Sequence, residues 1–410
     1  MTRIKVSAPA HPIDCKILLP SSKSISNRAL IINALGKGTY QPENLSECDD
    51  TQVMVRALQA GPDETIDIMA AGTAMRFLTA YLSVTPGKRI ITGTQRMQQR
   101  PIQVLVNALR ELGADINYTN NKGYPPLEIT GSSLDKERIS LPGNISSQYI
   151  SALLMIAPTL THGLTIQLTG DIISRPYIQL TLQLMKDFGA DACWTKENEL
   201  RVEPQLYNSI PYYIESDWSA ASYWYQIAVL APEAIITLPK LLANSYQGDS
   251  KVAELFGRLG VETSYQEDGV TLTKGTPKVE YTEYDFINQP DLAQTFVVTC
   301  ALMGIPFRFT GLQSLKIKET DRIVALIKEM RKLGFVIKDS ENSILSWEGE
   351  RCTREEGAID TYEDHRMAMA FAPASLKISD LFINNPQVVS KSYPRYWENL
   401  QTAGFIIKEE

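Results

Sequence analysis

Residues 321–338 read DRIVALIKEMRKLGFVIK, and the reading of this stretch decides the fold class. Ile323, Leu326, Ile327, Met330 and Leu333 fall at i, i+3, i+4, i+7 and i+10, one face of an α-helix. Gly334 follows the last apolar position and can take the left-handed conformation that closes a helix. The residues beyond it read as a β-strand. The pattern is an amphipathic helix, a glycine, then a strand.

The pattern recurs in VMVRALQAG, PIQVLVNALRELGADI, RPYIQLTLQLMKDFGADAC, VAELFGRLGVET and PRYWENLQTAGFIIK. Its glycines are Gly61, Gly113, Gly189, Gly260, Gly334 and Gly404, separated by 52, 76, 71, 74 and 70 residues. The repeat is therefore about 70 residues long, and the interval from Gly61 to Gly113 lacks about 20 of them. A second helix type alternates with the first. It is rich in Ala, Ser and Met and apolar nearly all round, which places it in the interior. Its copies begin SNRALIINAL, GTAMRFLTAYL, SSQYISALLMIAP, DWSAASYWYQIAVLAP, PDLAQTFVVTCALMG and DHRMAMAFAPASL. Short β-like runs such as LTIQLTG and PFRFTGL follow. Six paired occurrences in strict alternation predict an α/β chain of six βαβαββ-type repeats, three per domain, with the first repeat truncated. The first domain is expected over 20–216. The second is expected over 217–410 with the N-terminal strand of residues 1–19.

Composition narrows the function. The chain has 410 residues, 44% of them hydrophobic and 21% charged, an ordinary globular balance with room for two or three domains. A net charge of −7 argues against a nucleic-acid partner, which wants a basic face. Cys15, Cys48, Cys193, Cys300 and Cys352 lie far apart, and the three histidines are scattered, so neither disulfides nor a metal site is signalled. No signal peptide or apolar run of about 20 residues is read, and a cytoplasmic protein without a membrane partner is expected. Neither GxGxxG nor GxxxxGK[ST] occurs, so no dinucleotide or P-loop site is indicated.

The polar residues gather at helix starts. The buried helices are preceded by SSKS, AAGT, SSQ, ESDWS, NQPD and YEDHR. The amphipathic ones are preceded by MQQRP, ISRP, YQGDS, KIKETD and VSKSYP. A helix N-terminus offers unpaired N–H groups and a partial positive charge, a ready anion site. Lys23, Arg28, Arg100, Lys318, Arg322, Arg366 and Lys391 add cations at these places. An acidic chain that is basic at its helix starts points to small anionic ligands focused into a cleft. In LPSSKSISNRAL, the serines Ser21, Ser22, Ser24 and Ser26 with Lys23 suit a phosphate, and Arg28 a carboxylate. A capped helix with a solvated Lys and Arg is the plainer reading. Glu319, between Lys318 and Arg322, and Asp291, at a buried helix start, are candidates for proton transfer. Their plainer readings are an ion-pair network for Glu319 and a helix cap for Asp291. Arg366 reads as ligand-facing, and His365 is as readily structural.

LPSSKSISNRA, AGTAMR, RPI, SSQYISALLMIAP, SRPYI, KETDR, DHRMAMAF and KSYP, in that order over nearly the whole chain, resemble the 3-phosphoshikimate 1-carboxyvinyltransferase (EPSP synthase) family. The resemblance implies an inside-out α/β barrel architecture in two domains, with the active site in the interdomain cleft. It implies transfer of the carboxyvinyl group of phosphoenolpyruvate to the 5-hydroxyl of shikimate 3-phosphate, on the chorismate route to aromatic amino acids. No metal or organic cofactor is expected, and a monomer is usual. By the same resemblance, Lys23 would contact both substrates, and Ser24 and Arg28 the shikimate ring and carboxylate. Ser146, Ser147 and Ser174 would hold the shikimate phosphate, with Ser314 and Lys318 also on the shikimate side. Gln148 would lie against the ring and phosphoenolpyruvate. Gly72 would admit the phosphoenolpyruvate phosphate, and Arg100, Arg322, Arg366 and Lys391 would clamp that substrate. Asp291 would take the 5-hydroxyl proton and Glu319 would protonate the methylene carbon, with Lys23 and Lys391 also in the catalytic set. Gly72 is where enlargement is associated with glyphosate tolerance, so a sensitive enzyme is expected.

Departures from the family pattern are Ala70 for Asn, Ser314 for Asn, Phe77 for Pro, and PSSKS for PGSKS. The missing segment falls between Gly61 and Ala71. The sister UDP-N-acetylglucosamine 1-carboxyvinyltransferases typically carry a reactive Cys or Asp in the loop that here reads TPGKRIITGTQRMQQRPI, which has neither. RNA 3′-phosphate cyclases fit the acidic charge poorly. A non-catalytic phosphate-binding relative would be expected to have lost Asp291, Glu319, Lys23 or Arg100.

Overall fold

A computed structural model describes residues 2–410 and divides the chain into two compact units, Met1–Pro20 with Glu215–Glu410, and Ser21–Ile214. Among the described residues there are twelve α-helices. In the unit Ser21–Ile214 they are α1 (Lys23–Leu35), α2 (Asp49–Leu58), α3 (Gly72–Val84), α4 (Gln103–Leu112), α5 (Ser147–Ile156) and α6 (Arg175–Asp187). In the other unit they are α7 (Trp218–Leu230), α8 (Val252–Leu259), α9 (Ala293–Met303), α10 (Arg322–Lys332), α11 (His365–Phe371) and α12 (Tyr396–Thr402). Odd-numbered helices are buried on nearly every side, and even-numbered helices only along one stripe. Their apolar side chains form one core per unit, around Ile31, Leu78 and Leu153 in one and Trp224, Val297 and Phe371 in the other.

The sheets follow the repeat. β1 (Arg3–Ser7) and β2 (Ile13–Lys16) open the chain. The second repeat forms a sheet from β3 (Thr65–Asp67), β4 (Lys88–Thr92), β5 (Asp115–Tyr118) and β6 (Leu127–Thr130), in the order β3-β4-β6-β5. The third uses β7 (Arg138–Pro142), β8 (Leu164–Thr169), β9 (Ala192–Lys196) and β10 (Glu199–Val202), in the order β7-β8-β10-β9. In both, the first two strands are parallel and the last two form an antiparallel hairpin. Each parallel pair is joined through a buried helix, the crossover that parallel pairing requires. The fourth repeat builds β11 (Ala234–Pro239), β12 (Val261–Gln266) and β13 (Gly269–Lys274), and takes β2 as its parallel first strand. The fifth is β14 (Thr282–Asp285), β15 (Phe307–Thr310), β16 (Lys338–Ser340) and β17 (Ile344–Trp347). In the sixth, β18 (Leu381–Asn384) and β19 (Ile406–Glu409) flank β1, and Ile359 bridges Ile383 in parallel.

The first repeat keeps its two helices and a single parallel bridge, Glu43 to Tyr213. After α2 the chain passes directly to β3, which belongs to the next sheet, so the hairpin is missing. Gly113, Gly189, Gly260, Gly334 and Gly404 close their helices with φ between +85° and +111°. Gly61 does not. Helix α2 ends at Leu58 with a right-handed Gln59 after it.

Candidate active site

In the unit Ser21–Ile214, side chains tie the starts of the buried helices together. Gln148 Nε2 at the start of α5 donates to Thr73 Oγ1 at the start of α3, at 3.0 Å. Arg28 on α1 is 3% exposed. Its Nε donates to Thr181 Oγ1 at 2.7 Å, and its other nitrogens reach Ser24 O, Ser151 Oγ and Tyr177 O. All four are neutral acceptors, and burial brings the guanidinium pKa down to about 10. Phe77, the residue in place of the family's proline, lays its ring 5.2 Å from the Arg28 carbon, a cation–π contact. Lys23 Nζ, in the first turn of α1, pairs with Asp50 at 3.1 Å.

The serine cluster divides its labour. Ser22 caps α1 by accepting from Ile25 N, and Ser26 Oγ accepts from Ser46 N at 3.1 Å. Both hydroxyls thus accept from backbone N–H groups of their own unit. Ser146 caps α5 and Ser147 begins it. Ser174 starts α6 with φ +54° and makes no side-chain cap bond. Ser314 lies in the 3-10 turn Gln313–Ile317 of the other unit.

Helix α3 starts without a side-chain cap. Beside it the chain runs through Arg100 and Pro101, whose carbonyl accepts from Tyr149 Oη at 2.6 Å and Arg76 Nη2 at 3.4 Å. The Arg100 guanidinium lies against Gly72, where a Cβ would sit 2.6 Å from Nη1. Arg100 Nε is buried without a hydrogen-bond partner.

In the other unit the charged groups form one network centred on Arg322, which is 1% exposed. Its Nε donates to Asp364 at 2.7 Å, its Nη2 to Glu319 at 3.0 Å and its Nη1 to Asp291 at 3.2 Å. Arg366 Nη2 holds the other oxygen of Asp291 at 3.0 Å and its Nη1 reaches Tyr223 Oη at 3.4 Å. Lys318 lies 3.4 Å from Asp291 and Lys391 3.1 Å from Glu319. Asp291 is no helix cap. It sits in the 3-10 turn Pro290–Leu292 before α9 and spends its oxygens on cations. Burial pushes its pKa up, but Arg366, Lys318 and Arg322 outweigh burial and hold the carboxyl well below the usual range. Burial disfavours the Arg322 cation, and Asp364, Glu319 and Asp291 more than reverse that.

Two acids here were not singled out by sequence reasoning. Asp364 caps α11 through Arg366 N and is completely buried beneath Arg322. Its signal was present in YEDHR, since a buried arginine needs a counterion. Asp249, hydrogen-bonded by Ser219, is 2% exposed. Burial first, then the charge of Asp291, pushes its pKa up to about 6.

The family described as EPSP synthase (3-phosphoshikimate 1-carboxyvinyltransferase) matches residues 8–61 and 59–400. The chain belongs to the EPSP synthase family. A Bacteroides fragilis relative named 3-phosphoshikimate 1-carboxyvinyltransferase is 64% identical over 407 residues, covering 99% of each chain. A Vibrio atlanticus relative of the same name is 36% identical over 420 aligned positions, covering 96% of this chain and 97% of the relative. Among solved structures, an EPSP synthase from Acinetobacter baumannii has the same fold, with a TM-score of 0.79 at 21% identity and full coverage of both chains. The enolpyruvyl transferase NikO from Streptomyces tendae follows at a TM-score of 0.72 and 14% identity, covering 100% of this chain and 99% of its own. The two segments matched to the EPSP synthase family meet at residues 59–61, where α2 gives way to β3 and the hairpin is missing.

Among the described residues, no group of His, Cys, Asp and Glu side chains is placed to hold a metal ion, and no helix is long and apolar enough to cross a membrane.

Proposed function

We propose that this chain transfers the carboxyvinyl group of phosphoenolpyruvate to the 5-hydroxyl of 3-phosphoshikimate, releasing phosphate. The observation that carries the reading is that Glu319 and Asp291 both bond one buried guanidinium, that of Arg322. An acid and a base are thus held at a cation that can also bind an anionic substrate.

Phosphoenolpyruvate is a poor electrophile until its methylene carbon gains a proton. Glu319, beside Lys391, delivers that proton, and the 5-hydroxyl attacks C2. Asp291 takes the hydroxyl proton. Its depressed pKa makes it a weak base in the free enzyme. When the substrate's phosphate and carboxylate take up Arg366, Arg322 and Lys391, Asp291 loses part of its cationic cover and becomes more basic. Glu319, left as a carboxylate, then takes a methyl proton back from the tetrahedral adduct as phosphate leaves, which restores the C=C bond. Fixed cations on the leaving phosphate contribute roughly 3–4 kcal/mol per key group.

On the acceptor side, Arg28 is a buried cation whose hydrogen bonds go to neutral acceptors, which suits the shikimate carboxylate. Ser146, Ser147, Ser174 and Lys23 are assigned to its phosphate, with Ser24, Gln148, Ser314 and Lys318 along the ring. Arg100, with Nε unpartnered against the uncapped start of α3, is assigned to phosphoenolpyruvate. The enzyme acts as a cytoplasmic monomer without cofactor, in aromatic amino acid biosynthesis. The test is phosphate release from phosphoenolpyruvate with 3-phosphoshikimate and with unphosphorylated shikimate in parallel. Release only with the phosphorylated acceptor is expected, and no release with either overturns the reading.

A further inference from the structure

Arg322 and Arg366 owe their positions to Asp364, which bonds the guanidinium of one and caps the helix carrying the other. The segment delivering Asp364 is unusual. Tyr362 and Glu363 are consecutive non-glycine residues at φ +53° and +57°. L-residues avoid this region because Cβ crowds the following carbonyl, and it persists only where the surroundings impose it.

What imposes it is a carboxylate on α10. Glu329 is completely buried. Its Oε2 accepts from the backbone N–H of Asp360 at 3.0 Å and pairs with Lys332 at 2.8 Å, and its Oε1 accepts from the Tyr362 hydroxyl. Lys332 returns to the same segment through Asp360 Oδ2 at 2.9 Å and Ala358 O at 3.0 Å. Asn384 on β18 holds the other Asp360 oxygen at 2.7 Å. Burial and the facing Glu329 both push the Tyr362 phenol pKa up, so it stays a donor. The helix that begins with Arg322 therefore grips, two turns further along, the segment that ends in that arginine's counterion.

We propose that Glu329 and Tyr362 are positioning residues of the transfer reaction, a strap that fixes Asp364 and through it the Arg322–Arg366 pair. The proposal rests on the function above for its kinetic consequence, but its structural consequence can be read without turnover. His365 is the natural reporter. It is 2% exposed with Nδ1 3.8 Å from Asp364, while the other two histidines, His11 and His162, are exposed.

The experiment compares the full-length protein with Tyr362→Phe, Glu329→Gln and the control Tyr265→Phe, whose ring is half exposed. Thermal melts identify folded variants, and Tyr362→Phe, the milder change, keeps the test open if Glu329→Gln fails to fold. In folded variants at 20 °C, kcat/KM for phosphoenolpyruvate is expected to fall about tenfold, the value of one hydrogen bond to a charged group. The rise falls on KM for phosphoenolpyruvate more than on KM for 3-phosphoshikimate, because the two arginines are the groups displaced. The imidazole 1H–15N signals of His365 should shift while those of His11 and His162 stay. A purely structural strap would lower the melting temperature and leave the kinetic constants unchanged, which would overturn the proposal. Unmoved His365 signals in a folded variant would overturn it equally. If the parent enzyme itself releases no phosphate, the functional reading fails and the His365 signals alone decide the strap.

Discussion

Gly72→Ala separates folding from function at a single methyl group. The added Cβ would stand 2.6 Å from Arg100 Nη1, 3.0 Å from Nη2 and 3.1 Å from Cζ. Comfortable contact lies near 3.5 Å, so the guanidinium must retreat by roughly 1 Å. It is the far end of a flexible side chain, so the retreat costs the fold little. Alanine in the first turn of α3 offers about 0.4–1 kcal/mol through the unfolded chain in return. The melting temperature should therefore hold or rise slightly. Catalysis should not hold, because a 1 Å misplacement of a clamping group costs on the order of 10²-fold. The assay is phosphate release against phosphoenolpyruvate at saturating 3-phosphoshikimate, beside a thermal melt. KM for phosphoenolpyruvate should rise at least about tenfold, and sensitivity to glyphosate, expected in the parent, should fall with it. An unchanged KM in a fully folded variant would refute the reasoning, since Arg100 would then not depend on the missing Cβ for its place.

Three further changes probe the other cluster. Glu319→Gln should abolish turnover while substrate binding, followed by calorimetry, stays largely intact; retained turnover would remove Glu319 as the acid. Arg322→Met leaves Asp364 buried without its cation, and urea unfolding should report a loss of about 3–5 kcal/mol, against less than 1 kcal/mol if the network is dispensable. Asp249 tests pH linkage. Its folded pKa is raised to about 6 from an ordinary 3.8, so the stability this group contributes is complete below pH 3.8 and is lost as pH rises through 6. Asp249→Asn should flatten the fall in melting temperature between pH 4 and 7, and an unaltered slope would refute the assignment.

The repeat was legible because its two helix types differ in where they hide. Ile323, Leu326 and Met330 mark one buried stripe, whereas Trp224, Val297 and Phe371 belong to helices buried on nearly all sides. Glycine closed five helices as read and failed at Gly61, because α2 ends three residues earlier on a right-handed Gln59 and no left-handed turn is made there. The cations of the proposed site were visible as lysines and arginines near helix starts. Their counterions were harder to see. Asp50 and Asp364 lie 27 and 42 residues from the cations they neutralise, so even where an acid stood out, as in YEDHR, its partner did not. The serines of the first buried helix looked alike in sequence. Only three-dimensional placement separates Ser22 and Ser26, which serve the backbone, from Ser24.

The connectivity of the two units has a consequence for synthesis. The unit Ser21–Ile214 is continuous in sequence and can complete its core while the ribosome is still making the rest, since domains fold as units as they emerge. The first twenty residues have no such option. Strand β2 waits for β11, and β1 waits for β18 and β19, whose partners of Ile4 are Ile383 and Glu409. A nascent chain stalled before its last thirty residues therefore carries a finished central unit and an N-terminal strand with both edges unpaired, the kind of edge that invites aggregation. Proteolysis of stalled chains should cut first near residues 3–7 and leave a fragment close to Ser21–Ile214.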